Sequence, residues 1–215
     1  MEKARLFVGT FLDAESAAVV SKLKQLNSDL SMRWRLKARF VPLAKLHLTW
    51  LFIGDVEREL LDTVKSDLKN TIEKWKESSQ NRSFDIQYDC AEVWPSLKSP
   101  RVLVLESLSD PEGSQSPVSP QSESLNNAIS EGLSRYCERS DKIERFKRFR
   151  PHLTVCRFSP DASQKESGRV KRSLEDFERP EDLFPLIHKI GTVSLIESDL
   201  NAGPNGYSSI LDISL

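Results

Sequence analysis

Cysteine is scarce in this sequence: Cys90, Cys137 and Cys156 are an odd number, and no two of them have the spacing of a metal site. That usage points to reduced thiols in a cytoplasm rather than to a disulfide framework. No apolar run approaches the roughly 18 residues of a spanning helix, which excludes helical insertion into a membrane. The opening "MEKARLFVG" lacks the apolar core of a secretory leader. Net charge is also nearly absent, at −1. A protein held to nucleic acid by its overall field is thereby excluded, although a local basic cleft is not. No Gly-x-Ser-x-Gly elbow is present, which argues against a Ser-His-Asp hydrolase. Histidine is as rare as cysteine, with only His47, His152 and His188. Two of these three stand in the same tripeptide, His-Leu-Thr.

What is present reads as a soluble chain of 215 residues, long enough for one domain or two closely packed lobes. "ARLFVGTF" (residues 4–11) predicts a strand, and Asp13 an N-cap for a helix carrying Ala17, Val20, Leu23 and Leu26. A brief strand then precedes a turn at Pro42 and a longer strand that Gly54 is expected to end. Leu60, Leu61, Val64, Leu68, Ile72 and Trp75 form a helical stripe. Residues 84–94 predict one strand, with "RVLVLES" as its partner after Pro100. Residues 109–124 are rich in serine and proline and predict a flexible loop between two similar halves. A helix over about 122–140 leads to the second His-Leu-Thr. Residues 161–181 are charged and weakly helical, and two final strands close the chain. Strands mixed with helices, without regular alternation, predict an α+β fold with antiparallel pairing.

The two tripeptides lie 105 positions apart, about half the chain, which suggests a duplicated unit related by a pseudo-twofold axis. Outside them the halves share little identity. In a strand, residues two apart face one side, so His47 projects with Thr49, and His152 with Thr154. Leu48, Trp50, Leu153 and Val155 anchor the opposite faces. Were the two strands neighbours, one cleft would hold two imidazoles and two hydroxyls. Two opposed imidazoles suit phosphodiester cleavage, one neutral as base and the other charged as acid. Threonine hydroxyls can donate to the non-bridging phosphate oxygens.

"RWRLKAR" (residues 33–39) and "ERFKRFR" (residues 144–150) each precede a His-Leu-Thr and gather cations where a polyanion would enter. Trp34, Arg35, Phe40 and Arg150 are the candidate RNA contacts among them, with aromatic rings available to stack on bases. Phe40 and Phe149 are also the best core candidates of these runs. A metal site built on the histidines lacks acids or cysteines at ligand spacing. His188 reads as structural or exposed. Cys156 shares the alternation of His152 and Thr154, so it lines the cleft floor or serves as a small core residue.

"LHLTWLFIGDV" and "RPHLTVCRF" resemble the two signature strands of the two-histidine (2H) phosphoesterases, in the RNA 2′,3′-cyclic phosphodiesterase branch also labelled 2′-5′ RNA ligase (LigT or ThpR type). "RLFVGTFLD" and "VSLIESDLNAGPNGYSSILDISL" are similar to that branch's opening and closing strands, so the resemblance covers nearly the whole chain. It implies a bilobal α+β fold, residues 1–215 forming one domain of two pseudo-symmetric lobes, with two antiparallel sheets lining a central cleft and helices outside. It also implies no metal and no cofactor. RNA ends or cyclic-phosphate nucleotides are the expected partners, for a monomer of the cytoplasm. The implied reaction is hydrolysis of a terminal 2′,3′-cyclic phosphate to a 2′-phosphate, with His47 as general acid and His152 as general base. Thr49, Thr154 and Arg157 would hold the phosphate. In a regular strand Arg157 would point away from the cleft, five residues beyond His152, so its role requires a bulge or a strand end. Joining RNA through a 2′-5′ bond at the same site, and binding RNA ends without turnover, are the alternatives.

Overall fold

A computed structural model describes residues 2–12, 38–79, 83–96, 98–107, 119–137, 149–159, 184–199 and 206–215. The expected helix after Asp13, the candidate contacts Trp34 and Arg35, most of the Ser/Pro-rich stretch and the weakly helical residues 161–181 lie outside the described residues.

Among the described residues ten strands form two sheets. In chain order they are β1 (Lys3–Phe11), β2 (Ala38–Phe40), β3 (His47–Glu57), β4 (Phe84–Tyr88), β5 (Cys90–Ser96), β6 (Ser99–Glu106), β7 (His152–Phe158), β8 (Leu186–Ile190), β9 (Thr192–Ser198) and β10 (Tyr207–Ser214). The large sheet runs β10-β9-β1-β3-β7-β6-β5, with β2 also on β7, and the small one pairs β4 with β8. Every paired neighbour is antiparallel. The large sheet thus consists of two half-sheets, and they meet where Leu48 of β3 pairs with Leu153 of β7. The two His-Leu-Thr strands are neighbours at that seam.

Helix α1 (Leu61–Ser78) buries Val64, Leu68, Ile72 and Trp75, the stripe expected from its periodicity. Helix α2 (Pro120–Gly132) buries Ser122, Leu125 and Ile129. Both pack into one hydrophobic core with Leu48, Trp50, Ile53 and Leu153, so they cover the sheet face opposite His47 and His152. Their contact is close at Gly132, where a Cβ would stand 2.2 Å from the Thr71 Oγ1.

Several boundaries differ from those predicted. Gly54 does not end its strand; at φ 94° it lies within β3. There the register passes from Leu6↔Gly54 to Phe7↔Phe52, leaving Ile53 as the extra residue of a bulge that glycine's positive φ accommodates. The single strand expected over residues 84–94 breaks at Asp89, and its halves join different sheets. The final run yields three strands rather than two, because Gly191 separates β8 from β9. Helix α2 begins inside the Ser/Pro-rich stretch, since Ser119 accepts a hydrogen bond from the Ser122 N–H and Pro120 suits the first helical position. It also stops at Gly132, short of the expected end, and a 3₁₀ turn at Ser134–Tyr136 follows.

Candidate active site

The first seven residues of β3 and all seven of β7 share one sequence of environments: half-buried, buried, half-buried, buried, buried, exposed, buried. Two consecutive buried residues break the alternation of a regular strand and mark a bulge. In β3 the register jumps from Gly9↔Thr49 to Val8↔Leu51, skipping Trp50. In β7 it jumps from Val104↔Thr154 to Leu103↔Cys156, skipping Val155. The two strands therefore share one backbone frame even where their side chains differ.

The bulge resolves the difficulty with Arg157. Beyond Val155 the alternation is reset, which places the guanidinium on the face of His152 and Thr154 and turns Cys156 into the core. The same reset in the first half puts Phe52 on the face of His47 and Thr49, where its ring is 37% exposed. Arg157 and Phe52 are thus counterparts, each five residues beyond its histidine. Aligning the two tripeptides would have exposed Phe52; reading the basic runs alone did not. The Arg5 guanidinium lies 4.8 Å from the center of the Phe52 ring.

Each imidazole is held in the same way. His47 Nδ1–H donates to the Lys45 carbonyl at 2.8 Å, and His152 Nδ1–H donates to the Arg150 carbonyl at 2.8 Å. A carbonyl can only accept, so Nδ1 carries the proton and Nε2 of each neutral ring is the nitrogen with a lone pair. Continuing the antiparallel register one step on either side of Leu48↔Leu153 sets His47 beside Thr154 and Thr49 beside His152. The seam thereby converges both imidazoles and both hydroxyls.

Aromatic rings wall both sides. Phe7, Tyr207 and Phe11 surround His47 with ring centers at 4.8, 5.0 and 5.9 Å, and Trp94 lies 4.5 Å from His152. These residues escaped sequence reading because they reach the site through strand pairing, not proximity in the chain. Burial lowers the His47 pKa below the ordinary 6.5, and the charges of Arg157 and His152 lower it further against the bond to the Lys45 carbonyl. Burial also lowers that of His152, with Arg150 adding to the effect against its own carbonyl bond. That His47 feels both Arg157 and His152 places the three groups in one electrostatic neighborhood.

Phe40 does not face this opening. It pairs with Cys156 and packs against the hydrophobic core, because its register puts it on the core side of β7. Phe149 stacks on Trp50 at 5.3 Å, and the Trp50 Nε1–H donates to the Thr10 hydroxyl at 2.9 Å. The Arg150 guanidinium is tied to Glu106 through Nη2, on a side chain that is 58% exposed. His188 is fully buried, within hydrogen-bonding distance of the Tyr88 hydroxyl at 3.2 Å and the Phe11 carbonyl at 3.1 Å, a structural role. Among the described residues no group of three or more His, Cys, Asp or Glu is placed to hold a metal ion, and no helix is long and apolar enough to cross a membrane.

Gly9, opposite Thr49, sets the spacing of this floor: a Cβ there would stand 2.7 Å from the Leu48 carbonyl oxygen. The obstacle is backbone, so Gly9→Ala must displace β3 beside His47. We expect a loss of about 1–3 kcal/mol in denaturant unfolding, together with impaired turnover. Unchanged stability would show that the strand yields freely.

A family model described as the 2′-5′ RNA ligase superfamily matches residues 11–202. The RNA 2′,3′-cyclic phosphodiesterase of Aquifex aeolicus (strain VF5) is 26% identical over 206 residues, covering 95% of this chain and 94% of that protein. Among solved structures, TT0787 of Thermus thermophilus superposes with a TM-score of 0.66 at 20% identity, over 98% of this chain and 97% of that one. LigT of E. coli complexed with 3′-AMP superposes with a TM-score of 0.63 at 22% identity, over 100% and 99%. Both structures share the fold.

Proposed function

The chain belongs to the 2′-5′ RNA ligase superfamily, and from that premise we propose that it is a phosphoesterase that hydrolyses a terminal RNA 2′,3′-cyclic phosphate to a 2′-phosphate without a metal. The observation that carries this reading is the matched clamping of His47 and His152, each with Nδ1 on a carbonyl at 2.8 Å and Nε2 left to work. The curated phosphodiesterase relative, similar over nearly the whole chain, supports the choice of substrate.

In the proposed step His152 Nε2 removes a proton from water as its oxygen bonds to phosphorus. The bond from phosphorus to the 3′ oxygen breaks, and His47 Nε2–H delivers a proton to that oxygen. The ring opens to a 3′ hydroxyl and a 2′-phosphate. Thr49 and Thr154 donate to the non-bridging oxygens, and Arg157 balances the charge that develops on them. The depressed pKa of His152 keeps it neutral, as a base must be. His47 is held down partly by the Arg157 charge; a bound phosphate anion offsets that charge and lets His47 carry its proton. Phe52 offers the nucleobase a flat face beside the phosphate site.

The test is incubation of an oligonucleotide ending in a 2′,3′-cyclic phosphate with the protein in EDTA, scoring hydrolysed and 2′-5′-joined products separately. A 2′-phosphate product is expected; intact cyclic ends, or a 3′-phosphate, would refute the proposal. The pH dependence has a definite sign. Both imidazoles titrate below 6.5 in the free protein, and kcat/KM reports free-enzyme groups, so its maximum is expected below about pH 6.5. Bound phosphate raises both, so kcat should peak at higher pH. Coincident profiles on the alkaline side of that value would contradict the proposed electrostatics.

A further inference from the structure

Beside His152 lies a closed circuit of side chains that the proposed chemistry does not use. Glu106 pairs directly with His152 in the β6–β7 register and is only 6% exposed. Arg150 Nη2–H groups donate to both of its carboxylate oxygens, at 2.8 and 2.6 Å. The same guanidinium lies 4.5 Å over the Trp94 ring, and that ring lies 4.5 Å from the His152 imidazole. The Arg150 main chain completes the loop, since its carbonyl accepts the His152 Nδ1–H. Arg150 therefore touches His152 twice, through its carbonyl and through Trp94, and Glu106 holds the side chain that joins them.

The first half contains a parallel device without the acid. Lys45 also stands two residues before its histidine and gives it a carbonyl; its Nζ donates to the Tyr207 carbonyl at 2.6 Å, and the Tyr207 ring packs on His47. In both halves a cation two residues upstream fixes an aromatic ring against the imidazole. Among the described residues only the second version has a buried carboxylate behind it.

We propose that Glu106 is a positioning residue for His152, holding Arg150 against Trp94 so that the imidazole is fixed on two sides with Nε2 toward the phosphate. This inference rests on the functional reading above for its consequence in catalysis, but not for its effect on the ring. A buried carboxylate at a strand pairing position is costly unless matched, and Arg150 Nη2 matches its charge by donating to both oxygens. Lysine could supply the charge at position 150 but not the flat face that lies over Trp94.

The groups facing Glu106 are Arg150 from the segment before β7, His152 on β7, Glu92 and Cys90 on β5, and Asp89 just before β5, whose N–H donates to the Glu106 carbonyl. Burial, then the neighboring Glu92 carboxyl, pushes the Glu106 pKa up to about 7, against the pull of Arg150. Protonation below that value weakens the grip on Arg150, so the wild type should come to resemble Glu106→Gln as pH falls.

The experiment compares wild type, Glu106→Gln and Arg150→Lys. Long-range 1H–15N correlation reads the tautomer of each histidine ring, and hydrolysis of the cyclic-phosphate oligonucleotide gives kcat and KM. We expect the His152 ring to move from a single Nδ1–H tautomer to a mixture in both variants while His47 is unchanged. We also expect kcat to fall about tenfold with KM moving less than about twofold, and the kcat gap between wild type and Glu106→Gln to narrow from about pH 8 to about pH 5. A His152 tautomer unchanged in a folded Glu106→Gln protein overturns the proposal. If that variant does not fold, the same result in Arg150→Lys overturns it. Absence of hydrolysis by the wild type would instead refute the functional reading, and the tautomer measurement would still decide this one.

Discussion

Replacing either His47 or His152 with alanine is expected to lower kcat for hydrolysis of a 2′,3′-cyclic phosphate end by about 10²–10⁴-fold, the usual contribution of one general acid or base. The double replacement should cost much less than the product of the two, because the proton transfers serve a single displacement. Neither variant should be severely destabilised: both rings are only partly buried and project from strands anchored by Leu48 and Leu153 on the other side. Rates measured in EDTA, with thermal melts to exclude misfolding, would check this. A variant retaining more than about a tenth of wild-type turnover would remove its histidine from the chemistry.

Arg157→Ala is expected to produce two effects of different kinds. Loss of the cation facing the phosphate should reduce kcat/KM by about 10²–10³-fold, the scale for deleting one oxyanion donor. In the free protein the His47 pKa should rise, because Arg157 is one of the charges holding it down. Arg157→Lys should leave the His47 pKa close to its wild-type position, because the charge remains, and should cause only part of the loss in kcat/KM, since an ammonium keeps the charge but not the planar fork. Steady-state kinetics and a histidine-resolved NMR titration separate the two. An unmoved His47 would mean that Arg157 points elsewhere in solution.

The side chains of the candidate site were easier to read in the sequence than the backbone that delivers them. His47, Thr49, His152 and Thr154 follow from two rules: side chains alternate along a strand, and the tripeptide is repeated. The structure brings them to one seam through Leu48↔Leu153. The bulges at Trp50 and Val155 have no local signature, because valine and tryptophan are ordinary strand residues. Only pairing against β1 and β6 shows that one residue is extra. The place of Arg157 was therefore a conditional expectation, and Phe52 passed unnoticed. Gly54 and Gly191 look alike as punctuation, yet the first sits inside β3 and the second separates β8 from β9; tertiary pairing decides which. Phe40 shows the same limit: its surroundings left both a base-stacking ring and a core ring open, and its register on β7 packs it against the core.

The paired bulges carry a consequence for the direction in which a substrate can lie. A frame with true twofold symmetry would accept a nucleotide equally well in either sense, and half of all encounters would present the wrong oxygen to the acid. Here the same kink delivers a guanidinium at one end and an apolar ring at the other. Under the proposed function the substrate phosphate, flanked by a sugar and base, is itself lopsided, so the two unlike ends are expected to give it a single seating. Phe52 and Arg157 are thus expected to set the polarity of this cleft, and the unlike rings beside His47 and His152 add to the asymmetry.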